Sequence, residues 1–290
     1  MTREQPHAEK IETTKDPMER ILESIMTAEE YGCMEHDVPY VFGLKSGETE
    51  LHCFGAPHVM APENPIFEQI KTAFTAANPD LVFIEGIRKP EDTSVLNERV
   101  RAMTEGEAII RAGEAGFALK LAIGNGIDWH CPEPTDKDLY GHLLTQGFSK
   151  DDLFAREIFL MLPQYHRQTK KDGFREYIEP YIRRFEQETD WQDFDYSYER
   201  GIGIGNRLSG EDIDVENDPA APDRIDPIPW EGREGKRTVL NRIGTAASAY
   251  RDRKSVKDMA EAMKTHERIF MVYGASHIVM QEPALRKLFT

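Results

Sequence analysis

Leu51-His52-Cys53-Phe54-Gly55-Ala56-Pro57-His58 and, near the other end of the chain, Ile269-Phe270-Met271-Val272-Tyr273-Gly274-Ala275-Ser276-His277 share one layout. Each is an apolar run, then glycine, then two small residues, then histidine. The runs read as strands, and each glycine as the sharp turn that ends one, ahead of a helix. Leu81-Val82-Phe83-Ile84 is a third apolar run, too short for a helix and without alternation. That is the pattern of a strand covered on both faces.

Working outward, Tyr40-Val41-Phe42-Gly43-Leu44 and Leu51-His52-Cys53-Phe54 bracket Ser46-Gly47-Glu48 and read as a hairpin. Ile21, Ile25 and Met26 mark one helix before it. Phe67, Ile70, Phe74 and Ala77 mark another, stopped at Asn78-Pro79. An Ala-rich helix is expected over 107–123, ending at Gly124-Asn125-Gly126, and a strand over Ile127 to Cys131. From about 136 to 200 the pattern turns purely helical, with helices over 151–161 and 173–187 perturbed near Pro163 and Pro180. Residues 209–235 are acidic and rich in Pro and Gly. A helix over 236–264, a strand from Arg268 to Tyr273 and a short helix near 283–289 complete the chain.

The fold class expected is therefore α/β, a mostly parallel sheet flanked by helices. Residues 1–17 form a polar tail expected to be disordered. Residues 18–135 are the first half of the core, 136–235 a helical insertion with its acidic loop, and 236–290 the second half.

Composition narrows the class. The 290 residues carry 36 Lys+Arg against 52 Asp+Glu, a formal charge of −16. That balance repels phosphate backbones and argues against nucleic acid as a partner. No apolar stretch is long enough to span a membrane. Cys33, Cys53 and Cys131 are too few and scattered for a disulfide framework, and Met1 to Asp16 lacks an apolar secretory core. A cytoplasmic protein is expected, and a homodimer suits the size without any surface stripe selecting it.

In a parallel sheet, sites gather beyond the carboxyl ends of the strands. Either histidine alone reads as satisfying a loop backbone group; as a matched pair, His58 and His277 point to one site, and neutral imidazole is a common metal ligand. Glu85 follows Ile84 at the same sheet edge, as a ligand, a general base or an ordinary strand-end charge. Glu114 lies between Gly113 and Gly116 in the Ala-rich helix, either reaching the site or facing solvent. Glu133 follows the next strand, and His130 beside Cys131 is discounted because neighbours on a strand face opposite ways. Arg251 reads as a helix-face ion pair with Asp252 or Asp258. Gly201, Gly203 and Gly205 do not complete a dinucleotide fingerprint, since Asn206 holds the third glycine's place. Asp212-Ile213-Asp214 does not complete a calcium loop.

Gly55-Ala56-Pro57-His58, Ile84-Glu85-Gly86, Arg251-Asp252 and Gly274-Ala275-Ser276-His277, in that order, resemble the TIKI/TraB family, within a wider group that includes erythromycin-esterase-like and ChaN-like proteins. The resemblance spans about 38 to 290 and is loose through the middle helices. It implies an α/β core with both histidines and the glutamate in one site, and it brings Arg251 into that site. Some members are regarded as metal-dependent proteases using manganese or cobalt, others cleave a macrolide ester without a clear metal requirement, and ChaN-like members bind haem. The esterase branch has an acidic residue inside its first histidine motif; Ala56 and Pro57 stand here, which favours the TIKI/TraB branch. Family members are often membrane-anchored or exported, and neither feature is expected from this sequence.

The function expected is hydrolysis of an amide or ester bond in a peptide or small molecule. His58, Glu85 and His277 would hold a divalent metal, manganese or cobalt with zinc as a further option, leaving open positions for water and substrate. Glu85, if not a ligand, or Glu114 would take the proton, and Arg251 would stabilise the oxyanion. Haem or metal binding without turnover, and metal-independent ester hydrolysis, are the alternatives.

Overall fold

The structure, a computed structural model, describes residues 16–166, 173–218 and 238–290. Most of the expected polar tail and of the acidic loop lies outside the described residues. Asp16 and Pro17, counted with the tail, instead start a helix: Asp16 caps α1 (Pro17–Leu22), its side chain accepting from the Met18 N–H. The single helix expected around Ile21, Ile25 and Met26 is two short ones, α1 and α2 (Ala28–Gly32), with Thr27 and Glu30 forming a capping box at the second.

The hairpin follows as β1 (Tyr40–Ser46) and β2 (Thr49–Ala56). Then come α3 (Ile66–Ala77), β3 (Leu81–Ile84), α4 (Ser94–Ala102), α5 (Glu105–Gly124) and β4 (Asp128–His130). The helical region contributes α6 (Asp136–Thr145), α7 (Lys150–Leu160), α8 (Leu162–His166), α9 (Phe174–Thr189) and α10 (Tyr198–Ser209). The chain returns to the sheet through α11 (Val239–Ala262), β5 (Arg268–Gly274) and α12 (Ala275–Leu288). No helix among the described residues is long and apolar enough to cross a membrane.

The five strands lie in the order β1-β2-β5-β3-β4. β1 runs antiparallel to β2, and every other pair is parallel. All four residues of β3 are buried, because helices cover both faces of the sheet. Phe270 and Val272 of β5 face a core shared with α3 and α5, while Ile269, Met271 and Tyr273 face one shared with α12, α1 and the C-terminal half of α11. A third apolar core lies within α6 to α10 and takes in Leu240, Ile243 and Ala247 of α11. Helix α11 thus joins the helical region to the sheet.

Two expectations on helices change. The C-terminal helix starts at Ala275, directly on the end of β5, and runs through Pro283. Its first turns persist because Ala275, Ile278, Val279 and Met280 are buried; packing outweighs the missing proline donor. The helical region extends to Ser209, with Gly201 and Gly205 inside α10. A Cβ on either would overlap Ile158 or Phe159 of α7, so these glycines let two helices approach closely.

Candidate functional site

The parallel register sets Ala56 of β2 beside Gly274 of β5, and Ile84 of β3 beside Val272. The chain therefore leaves β2, β3 and β5 at one edge, where His58, Glu85 and His277 follow. His277 sits in the first turn of α12, whereas His58 lies in the loop 57–65 that precedes α3. A side chain on Gly274 would meet His58 Nε2 at 3.1 Å and Glu85 Oε2 at 3.3 Å. Glycine is needed there for close approach, and its N–H donates to Glu85 Oε2 at 2.6 Å.

Both histidines are held from behind by a carboxylate. His58 Nδ1 lies 2.6 Å from Glu114 Oε1, and Glu114 Oε2 also accepts from the Val59 N–H at 3.3 Å. His277 Nδ1 lies 2.7 Å from Asp252 Oδ1, an oxygen that also accepts from Gln281 Nε2 at 2.7 Å. Ser255 Oγ donates to Gln281 Oε1 at 3.0 Å, which orients that amide. With each Nδ1 engaged, the Nε2 side of each ring is turned to the site. The settings differ in exposure: 59% of the His58 side chain is accessible against 11% for His277.

Glu114 reaches His58 through a break in its helix. Ala112 and Gly113 leave helical geometry, Gly113 with φ of 54° and ψ of −138°. A Cβ on Gly113 would lie 2.7 Å from the Val59 carbonyl oxygen. Only glycine combines that positive φ with that proximity.

Arg251 lies at the centre. Its Nη2 donates to Glu85 Oε1 at 2.9 Å and to Glu133 Oε1, and its Nη1 is 3.4 Å from His277 Nε2. The Tyr273 hydroxyl donates to the same Glu133 oxygen at 3.4 Å. Burial favours the neutral form of Glu85, but His277, Arg251, His58 and the Gly274 N–H outweigh it and hold the carboxyl at about 2. Burial also works against protonation of His277, and Asp252 overcomes it, so that the His277 pKa is raised. Cys131, just past β4, is pushed up to about 11 chiefly by burial and is no thiolate nucleophile near neutral pH.

The expected site residues His58, Glu85, Glu114, Arg251 and His277 are therefore brought together, and Glu133 joins them. The expected roles shift. Glu85, ionised and with both oxygens engaged, is a poor base. Glu114 orients His58, and Arg251 is no helix-face pair. Asp252, expected beside Arg251 as an ion-pair partner or as part of the Arg251-Asp252 motif, is completely buried and serves His277. Asp258 pairs with His130 at 2.7 Å, and Asp128 pairs with Lys89 at 2.5 Å. The signal for Asp252 was its place beside Arg251, since nothing local in the sequence links it to a histidine in another helix.

A divalent metal fits this arrangement poorly. The guanidinium of Arg251 bridges Glu85 and His277, two of the three expected ligands, and the second oxygen of Glu85 is taken by a backbone N–H. A metal shared by that pair would have to displace a buried cation. The donor set suits an ion network centred on arginine. A cavity of about 350 Å³ adjoins His277 between α1, α2, α11 and α12, lined by Ile25, Met26, Ser248, Arg253 and Met280. Compared with known proteins, the chain matches no family model, no curated protein and no solved structure.

Proposed function

We propose that this chain is a hydrolase that cleaves an ester or amide bond with two carboxylate-held histidines and an arginine, without a metal. The observation that carries it is the pairing of His58 with Glu114 and of His277 with Asp252 at one sheet edge, with His277 Nε2 beside Arg251 and His58 Nε2 beside Gly274. A carboxylate on Nδ1 fixes a histidine's orientation and stabilises its cationic form when the ring takes a proton.

His58, the accessible ring, takes the proton of a water that attacks the carbonyl carbon. Glu114 keeps the ring aimed and balances the imidazolium charge. Arg251, held by Glu85 and Glu133, offers its guanidinium to the oxygen that gains negative charge. His277, whose cationic form Asp252 favours, gives a proton to the leaving group as the carbonyl re-forms. Water is consumed, and an acid and an alcohol or amine are released. The motif order that resembles the TIKI/TraB family supports hydrolysis, whereas the metal-free route is supported by Arg251 standing between Glu85 and His277.

The test is hydrolysis of a panel of aryl esters and peptide amides by chelator-treated protein, beside His58→Ala and elemental analysis. Turnover in the metal-free protein that is lost in His58→Ala is the expected result. Turnover only after loading with manganese, cobalt or zinc would overturn the metal-free mechanism. A Soret band on haem titration, lost in His58→Ala or His277→Ala, with no turnover on the panel, would replace hydrolysis with haem binding.

A further inference from the structure

His277 belongs to two settings. Its Nε2 is 3.4 Å from Arg251, and the residue also forms part of the wall of the cavity of about 350 Å³ between α1, α2, α11 and α12. His58, Glu85 and Arg251 do not line that cavity. Its wall is otherwise mainly apolar, with Leu22, Ile25, Met26, Ala28, Ala249 and Met280. Two contacts fix the walls. The Met26 N–H donates to the Met280 carbonyl at 2.8 Å, which ties the α1–α2 connection to α12. Arg253 Nη2 donates to Glu19 Oε2 at 2.5 Å, which ties α11 to α1.

One buried polar group in the wall points to an occupant. Ser248 is 8% accessible and lines the cavity, and its hydroxyl has no hydrogen-bond partner among the described residues. Thr245, three residues earlier in the same wall, instead donates to the Asn241 carbonyl at 3.0 Å. A hydroxyl held away from water without a partner is unfavourable. Ser248 stands one turn before Asp252 on α11, and Asp252 holds His277, so the serine faces the same end of the cavity as the histidine. The rim disfavours anions. Glu23 and Glu29 are exposed there, and Arg253, the one Lys or Arg in the lining, is already paired with Glu19. Volume sets the size: an apolar cavity of about 150 Å³ admits one benzene ring, so this one takes two fused rings or a chain of similar bulk. Met26 and Met280 can adapt to either shape.

We infer that this cavity holds the leaving group of the substrate, a neutral and largely apolar alcohol or amine with about the bulk of two fused rings. Among the reacting residues only His277 borders the cavity, and His277 is the residue that protonates the departing atom. Ser248 hydrogen-bonds the polar atom of that group. The acyl half lies on the open side of the site with His58, whose side chain is 59% accessible. This inference rests on the hydrolase reading for the half of the substrate assigned to the cavity, whereas occupancy of the cavity is measurable without turnover.

The experiment gives the full-length protein phenyl acetate, 2-naphthyl acetate, 6-carboxy-2-naphthyl acetate and phenyl 2-naphthoate, and follows binding of 2-naphthol by its fluorescence. Wild type, Ala249→Trp, Ile25→Trp, Ser248→Ala and His58→Ala are compared, with Tm measured on each. The two indole rings fill the cavity from opposite walls, and Ser248→Ala, which removes a single atom, keeps the test decisive if both tryptophan variants melt early. In wild type kcat/KM should be about tenfold or more higher for 2-naphthyl than for phenyl acetate, and lower again for the carboxylated ester. That preference should vanish in the tryptophan variants, with phenyl 2-naphthoate affected no more than phenyl acetate. 2-Naphthol should bind wild type and His58→Ala alike, about fivefold more weakly to Ser248→Ala and at least tenfold more weakly to the tryptophan variants. Equal rates on the phenyl and naphthyl acetates, a carboxylated ester cleaved as fast as its parent, a loss confined to phenyl 2-naphthoate, or 2-naphthol binding unmoved by all three cavity variants would each overturn the proposal. Failure of the hydrolase reading shows separately, as no turnover of any ester while cavity-dependent 2-naphthol binding remains.

Discussion

Asp252 stands directly behind His277, its Oδ1 2.7 Å from Nδ1 of the ring, and no part of Asp252 is exposed to solvent. Its neighbour in sequence, Arg251, reaches Glu85 and Glu133. Two consecutive residues of α11 thus serve opposite ends of one charge network. Removing Asp252 leaves His277 and Gln281 without their shared acceptor in a buried setting. Asp252→Ala should cost about 3–5 kcal/mol in urea unfolding, the range for breaking a buried pair from one side. In Asp252→Asn the His277 titration midpoint, followed by NMR, should fall. An unchanged midpoint would detach His277 from Asp252.

The acid limb of stability should belong in part to Glu85. Its folded pKa of about 2 lies below the ordinary value of 4.5. The stabilisation is therefore complete above about pH 4.5 and is lost as pH falls toward 2. Glu85→Gln should melt lower than wild type at pH 7 and lose less between pH 5 and 3. Parallel curves of Tm against pH would contradict this. His277 runs the other way. Its folded pKa is raised from 6.5, so its contribution is full below about 6.5 and disappears as pH rises through the folded value.

His58 and Glu114 should separate by magnitude. His58→Ala removes the base and should lower kcat by about 10²–10⁴-fold, the usual worth of a positioned acid or base. Glu114→Gln keeps a hydrogen-bonding side chain behind the ring and removes its charge. It should lower kcat less and move the acid limb of the pH–rate profile downward, since the imidazolium loses its counter-charge. Equal losses with an unmoved profile would make Glu114 structural only.

Gly113 and Gly274 should fail differently on substitution by alanine. Gly113→Ala forces a side chain into positive φ and toward the Val59 carbonyl, at a cost of about 1–3 kcal/mol. Thermal unfolding would register it. Gly274→Ala meets the tips of His58 and Glu85, so activity should fall further than Tm does. A Tm loss in Gly274→Ala as large as that in Gly113→Ala would locate the tightness in the backbone instead.

Leu81 to Ile84 was legible as a doubly covered strand because burial on both faces leaves a run with no alternation. The glycine-histidine repeats were legible because the turns at the ends of β2 and β5 need small residues. The order of the sheet was not, since no local pattern says that β5 enters between β2 and β3. The break at Ala112-Gly113 was hidden in an otherwise regular Ala-rich stretch.

The placement of β5 has a consequence for how the molecule comes into being. This last-made strand occupies the middle of the sheet, between β2 and β3. During synthesis the earlier strands must wait with open edges until β5 and α12 emerge from the ribosome, the condition in which nascent sheets are most exposed to faulty pairing. His277 arrives with the same segment, so chemical competence and closure of the sheet are reached together. A ribosome-stalled chain lacking β5 would have neither.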